Sequence, residues 1–68
     1  MSRTMSRSKT YLVSVIDWTY PRGKIIATRF VDGLAEVRKT YSDYKFYHLD
    51  TGTWSAYSGQ LEIMAVKV

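Results

Sequence analysis

Only one stretch of this sequence carries the periodicity of a helix, and that scarcity limits the architectures open to it. In residues 32–44, DGLAEVRKTYSDY, the side chains of Leu34, Val37, Tyr41 and Tyr44 recur at steps of 3, 4 and 3, which puts them on one helical face. Ala35, Glu36, Arg38 and Lys39 are good helix formers, whereas Thr40, Ser42 and Asp43 are poorer ones. The helix is therefore expected to run about three turns and to weaken near residue 42. Asp32 is its expected N-cap, because its carboxylate can accept a hydrogen bond from an orphan N–H of the first turn. Asp32-Gly33 between apolar neighbours is also a hairpin signal; on that reading 34–41 becomes a strand and the chain a small all-β barrel. LAEVRK has no clean two-residue alternation, which favours the helix.

Nearly everything else from Tyr11 to Val68 reads as strand or turn. Thr10–Trp18 is rich in β-branched and aromatic residues, with Tyr11, Val13 and Val15 on one face and Leu12, Ile16 and Trp18 on the other. Tyr20-Pro21-Arg22-Gly23 is turn chemistry: Pro presets φ at the second position and Gly tolerates a positive φ near the end. Lys24–Val31 is the return strand, with Ile26, Thr28 and Phe30 on one face and Ile25, Ala27, Arg29 and Val31 on the other. Lys45–Tyr57 reads as a second hairpin about Asp50-Thr51-Gly52, and Leu61–Val68 as a last strand with Leu61, Ile63 and Ala65 facing one way. The expected fold is α+β, in outline ββαβββ: an antiparallel sheet of four to five strands with one short helix on one face. Its core is expected to draw on Val13, Val15, Ile26, Phe30, Leu34, Val37, Tyr41 and Ile63.

At 68 residues the chain is one small domain. With no cysteine it has neither disulfides nor thiolate metal sites to staple it, so six Tyr, two Trp and two Phe must supply the packing. No apolar run approaches the about 20 residues of a membrane span, and no apolar region follows the basic N-terminus as in a signal peptide. A cytoplasmic location is expected. The net charge of +4 is uneven, since Arg3, Arg7 and Lys9 stand without an acid in the first ten residues. Residues 1–9, MSRTMSRSK, are expected to form a disordered basic tail preceding a single domain over 10–68, and the repeated MSR leaves Met5 open as a start.

Few residues suggest chemistry. Asp50-Thr51-Gly52 matches the triplet of aspartic proteases, but those sites need two carboxylates sharing a proton within sheets too large for this chain. His48 is the only histidine, with no H-x-x-x-H or cysteine pairing for a metal and no specified triad for general-base work. The four Gly sit singly at turns, so there is no phosphate loop. No catalytic residue, metal or cofactor is expected. What remains is aromatic and basic surface. Trp18, Tyr20, Arg22, Tyr47, Trp54 and Tyr57 are the candidate contacts for a larger protein, being the residue types that anchor interfaces. The alternative is a nucleic-acid binder using Arg3, Arg7, Lys9, Arg22, Lys24, Arg29 and Lys45 with stacking aromatics. The small basic excess outside the tail weighs against it. A homo-oligomer through an open sheet edge is compatible with either.

A very short Cys-free chain with few strands and one short helix following a strand, here within Ile25–Tyr44, resembles small bacteriophage accessory proteins of the host-inhibitor type, such as RNA-polymerase inhibitors and anti-CRISPR proteins. The resemblance is architectural and carries over no residue. It implies a non-catalytic inhibitor of a host machine, acting in the bacterial cytoplasm. Nucleic-acid mimics of that group are strongly acidic and this chain is basic, so the implied action is occlusion of a protein surface or contact with nucleic acid rather than mimicry.

Overall fold

A computed structural model describes residues 9–68. The tail expected over 1–9, with Arg3 and Arg7, lies outside the described residues except at Lys9. The chain forms β1 (Thr10–Asp17), β2 (Lys24–Asp32), α1 (Leu34–Thr40), β3 (Tyr47–Asp50), β4 (Thr53–Ser58) and β5 (Leu61–Lys67). All five strands join one antiparallel sheet in the order β2-β1-β5-β4-β3, open at β2 and β3. This is the expected ββαβββ outline, and the barrel alternative falls because the two edges do not pair.

Local chemistry explains the turns. The N–H of Gly23 donates to the carbonyl of Tyr20 at 3.0 Å, with Pro21 at the second turn position and Gly23 at φ 73°, so the β1–β2 connection follows the sequence signal. The helix departs from expectation in two ways. It has seven residues, about two turns, and its N-cap is Gly33 (φ 87°, ψ 146°), with no side-chain capping bond. Asp32 remains in β2 and its carboxylate accepts from the hydroxyl of Thr10 at 3.2 Å. The Gly33 N–H is taken by the carbonyl of Lys9 at 2.8 Å, so strand pairing continues to the helix start and Asp32 is committed to the ladder. The helix stops at Tyr41, where the poor helix formers Ser42 and Asp43 follow.

Cross-strand register decides what the helix covers, since directly opposed residues share a face. On the helix side, one row runs Arg29, Val13, Ala65, Trp54, His48 and the next Ala27, Val15, Ile63, Ala56. Val13, Val31, Val37, Ile63 and Ala65 are the buried cluster, with Tyr11, Val15, Leu34, Tyr41, Tyr44, Phe46 and Trp54 packed against it. Two expected core residues are corrected. Phe30 is 69% exposed and Ile26 51% exposed, while Val31 is buried. The phase of β2 is set by its register, Val31 opposite Tyr11 and Phe30 opposite Leu12, with an irregularity at Ile26 where β1 passes from Val15 to Ile16. A strand off by one residue exchanges its faces, so the face holding Ile26 and Phe30 could not be chosen from β2 alone.

Candidate functional site

No described helix or strand covers the face away from α1, which is largely apolar. Its rows are Phe30, Leu12, Val66, Thr53; then Thr28, Ser14, Met64, Ser55, Tyr47; then Ile25, Ile16, Glu62, Tyr57. Phe30, Ile25, Tyr47, Tyr57 and Val66 are exposed, Tyr57 to 60%.

An acid lies within this face. Glu62 is only 2% exposed, and both its oxygens are engaged: Oε1 accepts from the indole N–H of Trp18 at 2.9 Å and Oε2 from the hydroxyl of Ser55 at 2.6 Å. Both partners are neutral donors, so hydrogen bonding rather than an ion pair meets the desolvated carboxylate. The outcome is a tryptophan fixed from three sides. Its backbone N–H donates to the carbonyl of Gln60 at 2.7 Å, its indole N–H is on Glu62, and its ring lies against Gly23. A Cβ at residue 23 would stand 2.8 Å from the ring, and φ there is positive, so glycine is required twice over. Trp18 nonetheless stays 43% exposed.

Exposed Tyr20 and Arg22 occupy the turn beside Trp18, and the Lys24 ammonium lies 4.9 Å from the centroid of the Tyr20 ring. Below them, Asp17 Oδ1 accepts from the Thr19 hydroxyl at 2.7 Å and from the Thr19 N–H at 2.9 Å. Those two bonds, the hydroxyl's first, and then the charge of Lys24, hold the Asp17 carboxyl below its ordinary 3.8.

Trp54 does not join this surface. It lies on the helix side, its ring 4.6 Å from that of His48 and 5.2 Å from the Arg38 guanidinium, and it packs on the core. Of the six protein-contact candidates, the sheet thus carries Trp18, Tyr47 and Tyr57 on the open face, with Tyr20 and Arg22 at its end, and separates Trp54. The nucleic-acid candidates are dispersed. Arg22 and Lys24 are at the β1–β2 turn, Arg29 is on edge strand β2, and Lys45 precedes the opposite edge strand β3 with its ammonium 5.8 Å from the Tyr47 centroid. Four strand spacings, about 19 Å, separate the two edges. An open cavity of about 350 Å3 lined by Arg38, Ser42, Tyr44, Lys45 and Phe46 lies beyond the helix C-terminus.

Asp50-Thr51-Gly52 forms the β3–β4 turn: the Asp50 carboxylate accepts from the Thr51 N–H at 2.8 Å, and Gly52 takes φ 72°. His48 stacks on Trp54. Among the described residues no three of His, Cys, Asp and Glu converge as metal ligands, and no helix is long and apolar enough to cross a membrane. Sequence reasoning missed Glu62 and Arg38. A lone acid in the apolar strand LEIMAV was a readable signal for the first, whereas the Arg38–Trp54 stack depends on tertiary folding. Comparison with models of known families, with curated proteins and with solved structures finds no significant match to this chain.

Proposed function

We propose that this chain is a non-catalytic binding protein that engages a larger protein through the open face of its sheet. The observation that carries the reading is Trp18, exposed yet held by Glu62, Gln60 and Gly23. An aromatic ring already fixed in place loses little conformational freedom when a partner covers it, which is what makes such rings effective anchors. Tyr57 shares the cross-strand row of Glu62, Tyr47 lies in the next row, and Tyr20 and Arg22 extend the surface at the turn. Large apolar side chains exposed together on one face, as Phe30, Ile25, Tyr47, Tyr57 and Val66 are, fit an interaction site. The architectural resemblance to phage accessory proteins extends the reading to an inhibitor that occludes part of a host machine in the bacterial cytoplasm. The test is parallel affinity capture from bacterial lysate with the wild-type chain and a Tyr20→Ala, Tyr57→Ala variant. A protein retained by the first and lost by the second supports the reading; identical captures overturn it.

The second reading, a nucleic-acid contact, is favoured by one observation on the helix side: the Arg38 guanidinium lies 5.2 Å from the half-buried Trp54 ring, and the cavity that Arg38 and Lys45 line includes no acid. Cations beside partly exposed rings can hold phosphate while a base stacks. Each tryptophan reports one face, so the readings separate by fluorescence. In a Trp18→Phe chain, quenching by single-stranded DNA or RNA that weakens from low to moderate salt would support nucleic acid. An unchanged signal at low salt would remove it.

A further inference from the structure

We infer that two copies of this chain pair through their β2 edges, antiparallel about Thr28, to make one continuous ten-stranded sheet. β2 is the longest described strand, nine residues, yet it stands at an edge and, among the described residues, pairs only with β1. Its outward N–H and C=O groups therefore form an open template. Edge strands in stable monomers are usually short or blunted. The other edge fits that rule, since β3 has only four residues. On β2, by contrast, Ile25 and Ile26 flank one end and Phe30 the other, all exposed, and no proline interrupts the run.

The occupant is identified by the self-complementarity of KIIATRFVD. A two-fold interface sets each residue against its counterpart in the reversed strand. With Thr28 on the axis, it meets the partner's Thr28, and Ala27 meets the partner's Arg29, so no like charges face each other directly. The irregularity at Ile26 lets Ile26 and Ala27 share one opposing residue. That brings Ile25 opposite the partner's Phe30, twice by symmetry. Both side chains are on the open face, Ile25 by its register with Ile16 and Phe30 by its register with Leu12. The strand begins on Lys24 and ends on Asp32, so the reversed pairing also sets a cationic end beside an anionic end at each side. The inference is independent of the partner reading above: the dimer would join two open faces edge to edge and leave Trp18 and Tyr57 uncovered.

Sedimentation of the full chain over a concentration series tests this. The wild type is expected to pass from monomer to dimer. Phe30→Glu alone and Ile25→Lys alone each alter both symmetric pairs and are expected to weaken the dimer about tenfold or more. The double variant Ile25→Lys, Phe30→Glu restores opposed charges across the axis and is expected to recover dimerisation. Tyr57→Ala, on the same face but on β4, is expected to leave it unchanged. Because the chain has no cysteine, Thr28→Cys supplies a single thiol, and its oxidation is expected to give a covalent dimer. A wild type that stays monomeric throughout would leave the edge to a strand of another protein and overturn the inference. A dimer lost in Tyr57→Ala but kept in Phe30→Glu would overturn it in favour of face-to-face stacking.

Discussion

Glu62 shows how one side chain can organise a surface without touching a partner itself. A carboxylate 2% exposed on an otherwise open face is tolerable only because Trp18 and Ser55 donate to both of its oxygens. In Glu62→Ala the buried Ser55 hydroxyl loses its partner, and the Trp18 indole is freed towards solvent. The expected cost is about 2 kcal/mol, the desolvation penalty of an unsatisfied buried group. In a Trp54→Phe background the emission of Trp18 should shift to the red; unchanged stability and emission would show that the two bonds do not hold the ring. Asp17 makes a second prediction, from its lowered pKa. A carboxyl held below 3.8 in the folded chain adds stability that is complete above that pH and is lost as pH falls through the folded value. The stability difference between wild type and Asp17→Ala should therefore shrink on acidification below 3.8, with the Thr19 amide resonance titrating in the same range. A Thr19 midpoint at or above 3.8 would contradict the assigned bonds.

The helix and β2 show how far element boundaries and faces could be read in advance. Seven helical residues with no side-chain cap are too few to be stable alone, so α1 persists through the burial of Val37 and the packing of Leu34 and Tyr41. Val37→Ala should cost about 2 kcal/mol in denaturant unfolding. Phe30→Ala, at a position expected to be core but in fact exposed, should cost no more than about 0.5 kcal/mol in the monomer. Equal losses would mean that β2 presents its other face to the helix. Periodicity located the helix because Leu34 and Val37 report a local geometry, but it overran the end: Tyr41 caps the helix and Tyr44 lies beyond it, both packing on the core from outside the seven helical residues. Turn chemistry located the hairpins for the same reason: Pro21 and Gly23 act on their own backbone. The face of β2 was not legible, because a one-residue irregularity at Ile26 and the reach of the helix set it, and neither is a local property. The same limit explains the candidate site. Exposed Tyr20 and Tyr57 followed from turn and strand position, whereas assigning Trp18 and Trp54 to opposite faces required the register of β4 on β5.

At the scale of the molecule, the first and last strands meet in the centre. β1 and β5 pair from Tyr11 with Lys67 to Asp17 with Leu61, and this single long-range ladder joins the β1–β2 hairpin to the β3–β4–β5 meander. Without β5 the sheet would divide into two-stranded pieces, which are marginal in water. The chain should therefore gain little from its local hairpins until its ends come together, and stability should be graded outward from that ladder. Amide hydrogen exchange checks the gradient. The slowest amides are expected at Val13, Ile63 and Ala65, which line the centre of the buried face, and the fastest within β3 and at the ends of α1. The ordering has a functional consequence, because Trp18 is tied by Glu62 and Gln60 to the strand and turn that complete the fold. The face proposed to bind is thus anchored to the part of the sheet expected to be most protected, and on that proposal a partner should meet a surface that needs little reordering. If the β1 and β5 amides exchanged as fast as those of β3, this link between the central ladder and the aromatic face would fail.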